Sequence, residues 1–203
     1  ENAKKLHING KIKDAQEIYL KLLNKNKNNF LLNYLLGTSF LQTKEHLKAL
    51  NYLNRSIELN SNFPDSYNNK GITLAEIGKY SEALENYDKA IQHNKNYTDA
   101  YLNRGISLNK LGKYNDAIKN FEAIIKTDPL NKLAYNNLGN VFKNNNDHQK
   151  ALTMYDKALE IDPNYLDALS NKVNGLHELK LHELELECLY KIFEVNNNYE
   201  NIL

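Results

Sequence analysis

Gly37, Gly71, Gly105 and Gly139 stand 34 residues apart, and so do Ala15, Ala49, Ala83, Ala117 and Ala151. A fixed period of this length means that one supersecondary unit is reused, each copy burying its apolar face on the next. The alignment holds beyond these two columns: YNNKGITLAEIGKYSEAL from Tyr67, YLNRGISLNKLGKYNDAI from Tyr101 and YNNLGNVFKNNNDHQKAL from Tyr135 share one pattern. Within a unit the apolar residues recur at helical spacing in two blocks. In one copy these are Tyr67, Gly71 and Leu74, then Ala83, Leu84, Tyr87 and Ile91, with Gly78 and Lys79 breaking the pattern between them. Each unit is therefore predicted to be a helical hairpin. The small Gly71 and Ala83 let its two helices approach, and Tyr67 and Tyr87 fill the wider gaps around them. Pro64, Pro129 and Pro163 fall between units, where a proline removes no internal hydrogen bond.

Over nearly its whole length the chain resembles the tetratricopeptide repeat (TPR) family. The family's run of aromatic, Leu-Gly, aromatic, Ala, aromatic, Ala and Pro is matched by Tyr135, Leu138, Gly139, Phe142, Ala151, Tyr155, Ala158 and Pro163. The resemblance implies an all-α, right-handed superhelical solenoid of tandem hairpins and a single array over 1–203. Its parts are a partial repeat at 1–29, repeats at 30–63, 64–97, 98–131 and 132–165, and a divergent repeat at 166–203. The last copy has Val173 for the Gly and Glu185 for the central Ala, and is expected either to be loosened or to act as a cap, with Leu186, Leu189 and Ile192 covering the end of the stack.

In this family the first helix of each repeat lines the concave side. Two residues before the Gly column stand Leu35, Asn69, Asn103, Asn137 and Asn171, and the position after it adds Asn140 and Asn174. A carboxamide offers donor and acceptor together, so a column of them pairs with a peptide backbone of any sequence. The column is similar to the asparagine ladder in the TPR superhelix of O-linked N-acetylglucosamine transferases. Solvated side chains are the competing explanation, because 34 of the 203 residues are Asn. A ladder alone binds weakly, so affinity must come from side-chain pockets. Leu31, Tyr34, Leu35 and Leu41 are the apolar candidates, with packing on the first repeat as the alternative use of the same face.

The expected function is thus a non-catalytic protein–protein interaction scaffold holding an extended peptide, with no cofactor. An alternative is the substrate-recognition arm of a larger TPR-bearing glycosyltransferase or sulfotransferase, on the similarity of GKIKDAQEIYLKLL and LLGTSFLQTKEHLKAL to the lead repeat of such enzymes. A further alternative is a structural role, with terminal repeats stacking into oligomers. Lys plus Arg number 26 against 25 Asp plus Glu, which argues against a nucleic-acid or membrane-surface partner. The basic members of the clamp that binds acidic chaperone tails are missing, since Lys70 and Arg104 lie one position off the groove. No apolar run reaches membrane-span length, and the single Cys188 fits a reducing compartment, so a cytoplasmic location is expected.

Catalytic and metal-site look-alikes carry less. His177-Glu-Leu-Lys-Leu-His182 has its second His one residue too late for a zinc helix. Five residues turn a helix through about 500°, so the two imidazoles are expected to diverge by about 140°, and the repeat register puts a turn between them. They are read as a surface or groove pair, with no metal. Gly71-x6-Gly78-Lys79 is too long for a phosphate loop, and Cys188 is read as a small buried thiol. The Asn-Lys clusters at Asn24–Asn29, Lys143–Asp147 and Asn196–Asn198 are placed at helix ends or turns, where Asn competes least with helical hydrogen bonding.

Overall fold

The computed structural model describes residues 2–200, and all secondary structure in them is helical. Glu1 and residues 201–203, which belong to the terminal repeats as assigned above, lie outside the described residues. The chain divides into two compact units, Glu1–Ser107 and Leu108–Leu203. The first contains α1 (Asn2–Ile8), α2 (Ile12–Lys25), α3 (Phe30–Gln42), α4 (His46–Leu59), α5 (Pro64–Glu76), α6 (Tyr80–His93) and most of α7 (Thr98–Lys110). The second contains α8 (Tyr114–Thr127), α9 (Lys132–Asn144), α10 (His148–Ile161), α11 (Leu166–Glu178) and α12 (His182–Glu200). Within each unit a helix packs on its hairpin partner and on the helix that follows, and alternate first helices also touch, α3 with α5 and α9 with α11.

The hairpins close because the chain reverses in the same way at each turn. The residue between helices takes a left-handed conformation, with φ +79° at Gly78, +61° at Asn146, +62° at Lys44 and +58° at Lys180. The next amide then reaches back to the end of the preceding helix, Lys79 N–H to Leu74 O at 2.9 Å and Asp147 N–H to Phe142 O at 2.9 Å. These are helix-terminating bonds of the Schellman type. The helix that follows is capped in places by a side chain, as where Asn131 accepts from Ala134 N–H at 3.0 Å and Asp147 from Lys150 N–H at 3.2 Å.

The glycines of the column make room for a side chain of the second helix, Leu53 on Gly37 and an aromatic ring on Gly71 and on Gly139. A Cβ at Gly71 would stand 2.5 Å from Cε1 of Tyr87, and one at Gly139 would stand 2.5 Å from Cε1 of Tyr155. Both rings are almost completely buried, as are Phe121 and Leu53 at the equivalent places. Ala15, Ala49, Ala83, Ala117 and Ala151 have no exposed surface at all, so nothing larger is accommodated at their positions without rearrangement.

The Asn196–Asn198 cluster lies near the end of α12, just before Glu200. One expectation fails at the C-terminal end: α12 does not cover the end of the stack with Leu186 and Leu189, and Ile192 is half-buried. Instead α12 buries Cys188 and Val195 and leaves Leu186 and Leu189 exposed, together with Leu184, Tyr190 and Phe193. The helix is rotated so that its thiol-bearing side faces α10 and α11, in the core of Ala151, Leu152, Tyr155 and Leu176. Burial raises the pKa of the Cys188 thiol, as befits a small core side chain.

Candidate functional site

In the first unit the N-terminal halves of α3, α5 and α7 enclose a cleft of about 470 Å³. Tyr34 stands on one side, Asp65, Asn68, Asn69 and Ile72 form the middle, and Tyr97, Asp99, Leu102 and Asn103 close the other side. The three helices come together because α5 follows α3 at one repeat's distance and Ala100 of α7 is buried against Tyr67 and Ala90.

The amides in the cleft are fixed by their neighbours. Asn103 donates through Nδ2 to Oδ1 of Asn68 at 3.2 Å, and Asn69 donates to the Thr38 hydroxyl at 2.9 Å. Thr38 in turn donates to the carbonyl oxygen of Tyr34 at 3.0 Å. Asn68 is buried and reaches Asn69 Oδ1 at 3.5 Å, so a line of hydrogen bonds runs across the cleft from α7 to α3. Asn69 and Asn103 remain half-buried.

A phenol and a carboxylate complete the floor. Tyr97 donates its hydroxyl to Asp65 Oδ1 at 2.7 Å. Burial pushes this phenol far above its ordinary range, and the Asp65 carboxylate adds to the shift. Tyr34 is raised for the same two reasons, burial first. Two carboxylates, Asp65 and Asp99, therefore line the cleft, and no lysine or arginine is among its lining residues. Each also sits in the first turn of its helix, where a negative charge complements the helix dipole.

The second unit repeats the central contact. Asn171 donates to Asn136 Oδ1 at 3.0 Å, the counterpart of Asn103 on Asn68, and Asn136 is buried. Asn144 donates to Asn109 at 3.1 Å with the same separation along the chain. Asn137 instead bonds its own helix, to Leu133 O at 2.9 Å. Asn140 accepts from the Tyr155 hydroxyl at 2.8 Å and so is held by the core, while Asn174 is exposed. Burial pushes the Tyr165 phenol up to about 12, with the charge of Asp167 adding to it.

The apolar candidates separate. Tyr34 lines the polar cleft, Leu31 and Leu35 line a different cleft of about 410 Å³ with Ala3, Tyr19, Leu22 and Leu32, and Leu41 is in the core. The second use foreseen for this face, packing on the first repeat, is thus realised for Leu35, which lies against the α1–α3 core.

The structure adds Asn68, Asn136 and Thr38, the acceptors of the amide contacts. The signal for the first two was available: a residue next to the Asn column, paired with it at a separation of 35. Arg104, before Gly105, pairs with Asp88 at 2.7 Å, and Lys172, before Val173, pairs with Asp156 at 2.7 Å.

His177 and His182 do not diverge. α11 stops at Glu178 and α12 starts at His182, so the reversal brings the rings to a centroid separation of 6.1 Å. Rotation about a single helix axis does not apply to residues on either side of a turn.

Comparison with known proteins gives matches to tetratricopeptide repeat models at residues 32–63, 64–97, 86–119 and 133–165, together more than half of the chain. No curated protein sequence matches at a significant level. Among solved structures, YrrB, a TPR protein with an unusual peptide-binding site, is 25% identical, with a TM-score of 0.70, over 84% of this chain and 88% of its own. MamA from Desulfovibrio magneticus RS-1 is 24% identical, with a TM-score of 0.72, over 83% of this chain and 96% of its own. PilW, a type IV pilus biogenesis factor, is 18% identical, with a TM-score of 0.84, over 92% of this chain and 86% of its own.

Proposed function

Since the chain belongs to the tetratricopeptide repeat family, whose repeats serve as protein–protein interaction scaffolds, we propose that it is a non-catalytic scaffold holding an extended peptide of a partner protein along the first helices of its repeats. Asn69 and Asn103 clamp peptide backbone in the first unit, Asn137 and Asn171 offer the equivalent amides in the second, Asn140 and Asn174 extend that amide surface, and Leu31, Tyr34 and Leu35 receive apolar side chains.

The observation that carries this reading is the prior fixing of the amides in the first-unit cleft. Asn69 and Asn103 are already oriented by Thr38 and Asn68, so little side-chain freedom remains to be lost when a peptide arrives. YrrB, similar over 84% of this chain, is itself a TPR protein with a peptide-binding site.

Energies show what else is needed. Four amides at a net ~0.5–1.5 kcal/mol per hydrogen bond supply a few kcal/mol. Association costs roughly 4–15 kcal/mol. The difference is made up by side chains, and the cleft's own chemistry selects them: Asp65 and Asp99 without a lining cation suit a lysine or arginine of the peptide. A charge-assisted hydrogen bond contributes about 1.5–3 kcal/mol. This preference is opposite in sign to that of a clamp for acidic tails.

A peptide array probed with the full chain tests the proposal. Retained segments enriched in Lys or Arg, and weakened retention by the Asp99→Asn variant, are the expected outcome. No retained segment, or retention of acidic segments alone, overturns it.

A further inference from the structure

Glu185 occupies a position that in every earlier repeat is a fully buried alanine: Ala15, Ala49, Ala83, Ala117 and Ala151. A glutamate cannot lie flat in that contact, so its carboxylate turns to the rim of the α11–α12 hairpin, where its side chain is 18% exposed. Two histidines meet it there. His177 Nδ1, from the last turn of α11, is 3.1 Å from one carboxylate oxygen, and His182 Nδ1, the first residue of α12, is 3.1 Å from the other. The three donor atoms all lie within 4.8 Å of one another.

The turn holds this arrangement. Lys180 takes a left-handed conformation, its N–H bonds His177 O at 2.9 Å, and Leu181 N–H bonds Leu176 O at 3.0 Å. Both histidines are therefore carried on a closed backbone, above the buried Leu176 and Cys188. A negative charge near the start of α12 is favoured by the helix dipole. That accounts for an acidic residue in the first turn, and leaves unexplained why the alanine column is broken and why two imidazoles converge on the carboxylate. The same register one repeat earlier holds Lys143, His148 and Ala151, so the group is particular to the last hairpin.

We propose that His177, His182 and Glu185 form a surface binding site for a divalent transition-metal ion of the zinc type. Two imidazoles and a carboxylate are a borderline donor set that suits Zn²⁺, Ni²⁺ or Cu²⁺ better than Ca²⁺ or Mg²⁺, which take oxygen. Zinc bonds of about 2.0–2.2 Å to nitrogen and oxygen need donors about 3 Å apart, the separation of each histidine from the carboxylate. On binding, each imidazole gives its Nδ1 lone pair to the metal, and the proton held between Nδ1 and the carboxylate moves to Nε2 or leaves to solvent. The carboxylate offsets one of the two positive charges. At least one coordination position remains for water or for a donor from a partner.

Isothermal titration of the full chain with ZnCl2 tests this, using wild type, His177→Ala, His182→Ala and Glu185→Ala. The last variant restores the residue of the other repeats, so its folding is the least threatened, and far-ultraviolet circular dichroism checks all four. One ion per chain is expected, with affinity falling at least about ten- to a hundredfold in each variant, since losing even a residue that only orients a metal ligand costs that much. A Cys188→Ser variant is expected to bind like wild type. Absence of binding overturns the proposal, as does binding that the three variants leave unchanged or that Cys188→Ser alone abolishes.

Discussion

Asn171 donates its side-chain amide to Asn136, 3.0 Å away in the preceding repeat, and Asn136 is 5% exposed. The same pair recurs in the first unit as Asn103 on Asn68. A polar contact between successive first helices thus fixes their register while presenting one amide of each pair to the surface. Replacing Asn136 by Ala leaves the Asn171 amide without its acceptor, and urea unfolding is expected to show a loss of about 1–2 kcal/mol. The double variant Asn136→Ala/Asn171→Ala should cost less than the sum of the two single changes, by about 0.5 kcal/mol or more.

Gly71→Ala drives a methyl group into the ring of Tyr87, at 2.5 Å from Cε1 before relaxation. Overpacking of this kind costs about 1–3 kcal/mol. A lowered urea midpoint with an unchanged slope is expected.

Turn residues carry a separate prediction. Lys44 adopts the left-handed conformation that Gly78 adopts one repeat later, and a side chain pays about 1–2 kcal/mol to do so. Lys44→Gly is expected to raise the melting temperature by an amount equivalent to about 0.5–1 kcal/mol, after the greater unfolded-state freedom of glycine is counted. Gly78→Ala should lower stability by about 1 kcal/mol.

Stability should also fall in alkali in a defined window. The Tyr165 phenol titrates near its ordinary 10.0 when unfolded and at about 12 when folded, chiefly through burial and then through Asp167. Its native form holds the proton more tightly, so its contribution is complete below pH 10 and is lost as the pH rises to about 12. Ultraviolet absorbance of the tyrosinates against pH, with Tyr165→Phe as the comparison, is expected to lose one late-titrating phenol in the variant.

The columns that define the hairpins were legible because packing repeats them. Gly71 and Gly139 face a ring, Ala83 and Ala151 face a neighbouring helix, and each constraint recurs at 34 residues. The amide column was legible for the same reason, and so was the place of Asn68 and Asn136 beside it, but not their role as acceptors, which a contact between repeats sets. The left-handed Lys44 and Lys180 were hidden because the turn dictates their backbone whatever residue stands there. The turn between His177 and His182 was legible from the repeat register but the distance at which it sets their rings was not, and the exposure of Leu186 and Leu189 was hidden because it depends on how the last helix is rotated.

The most direct measurement is calorimetric titration of an array-selected peptide into wild type and into the Asn69→Ala/Asn103→Ala variant, with circular dichroism confirming that both are folded. Losing two amide clamps at ~0.5–1.5 kcal/mol per bond, with more than one bond each, predicts binding weaker by about tenfold or more. Equal affinity for the two proteins would contradict a peptide held by these amides.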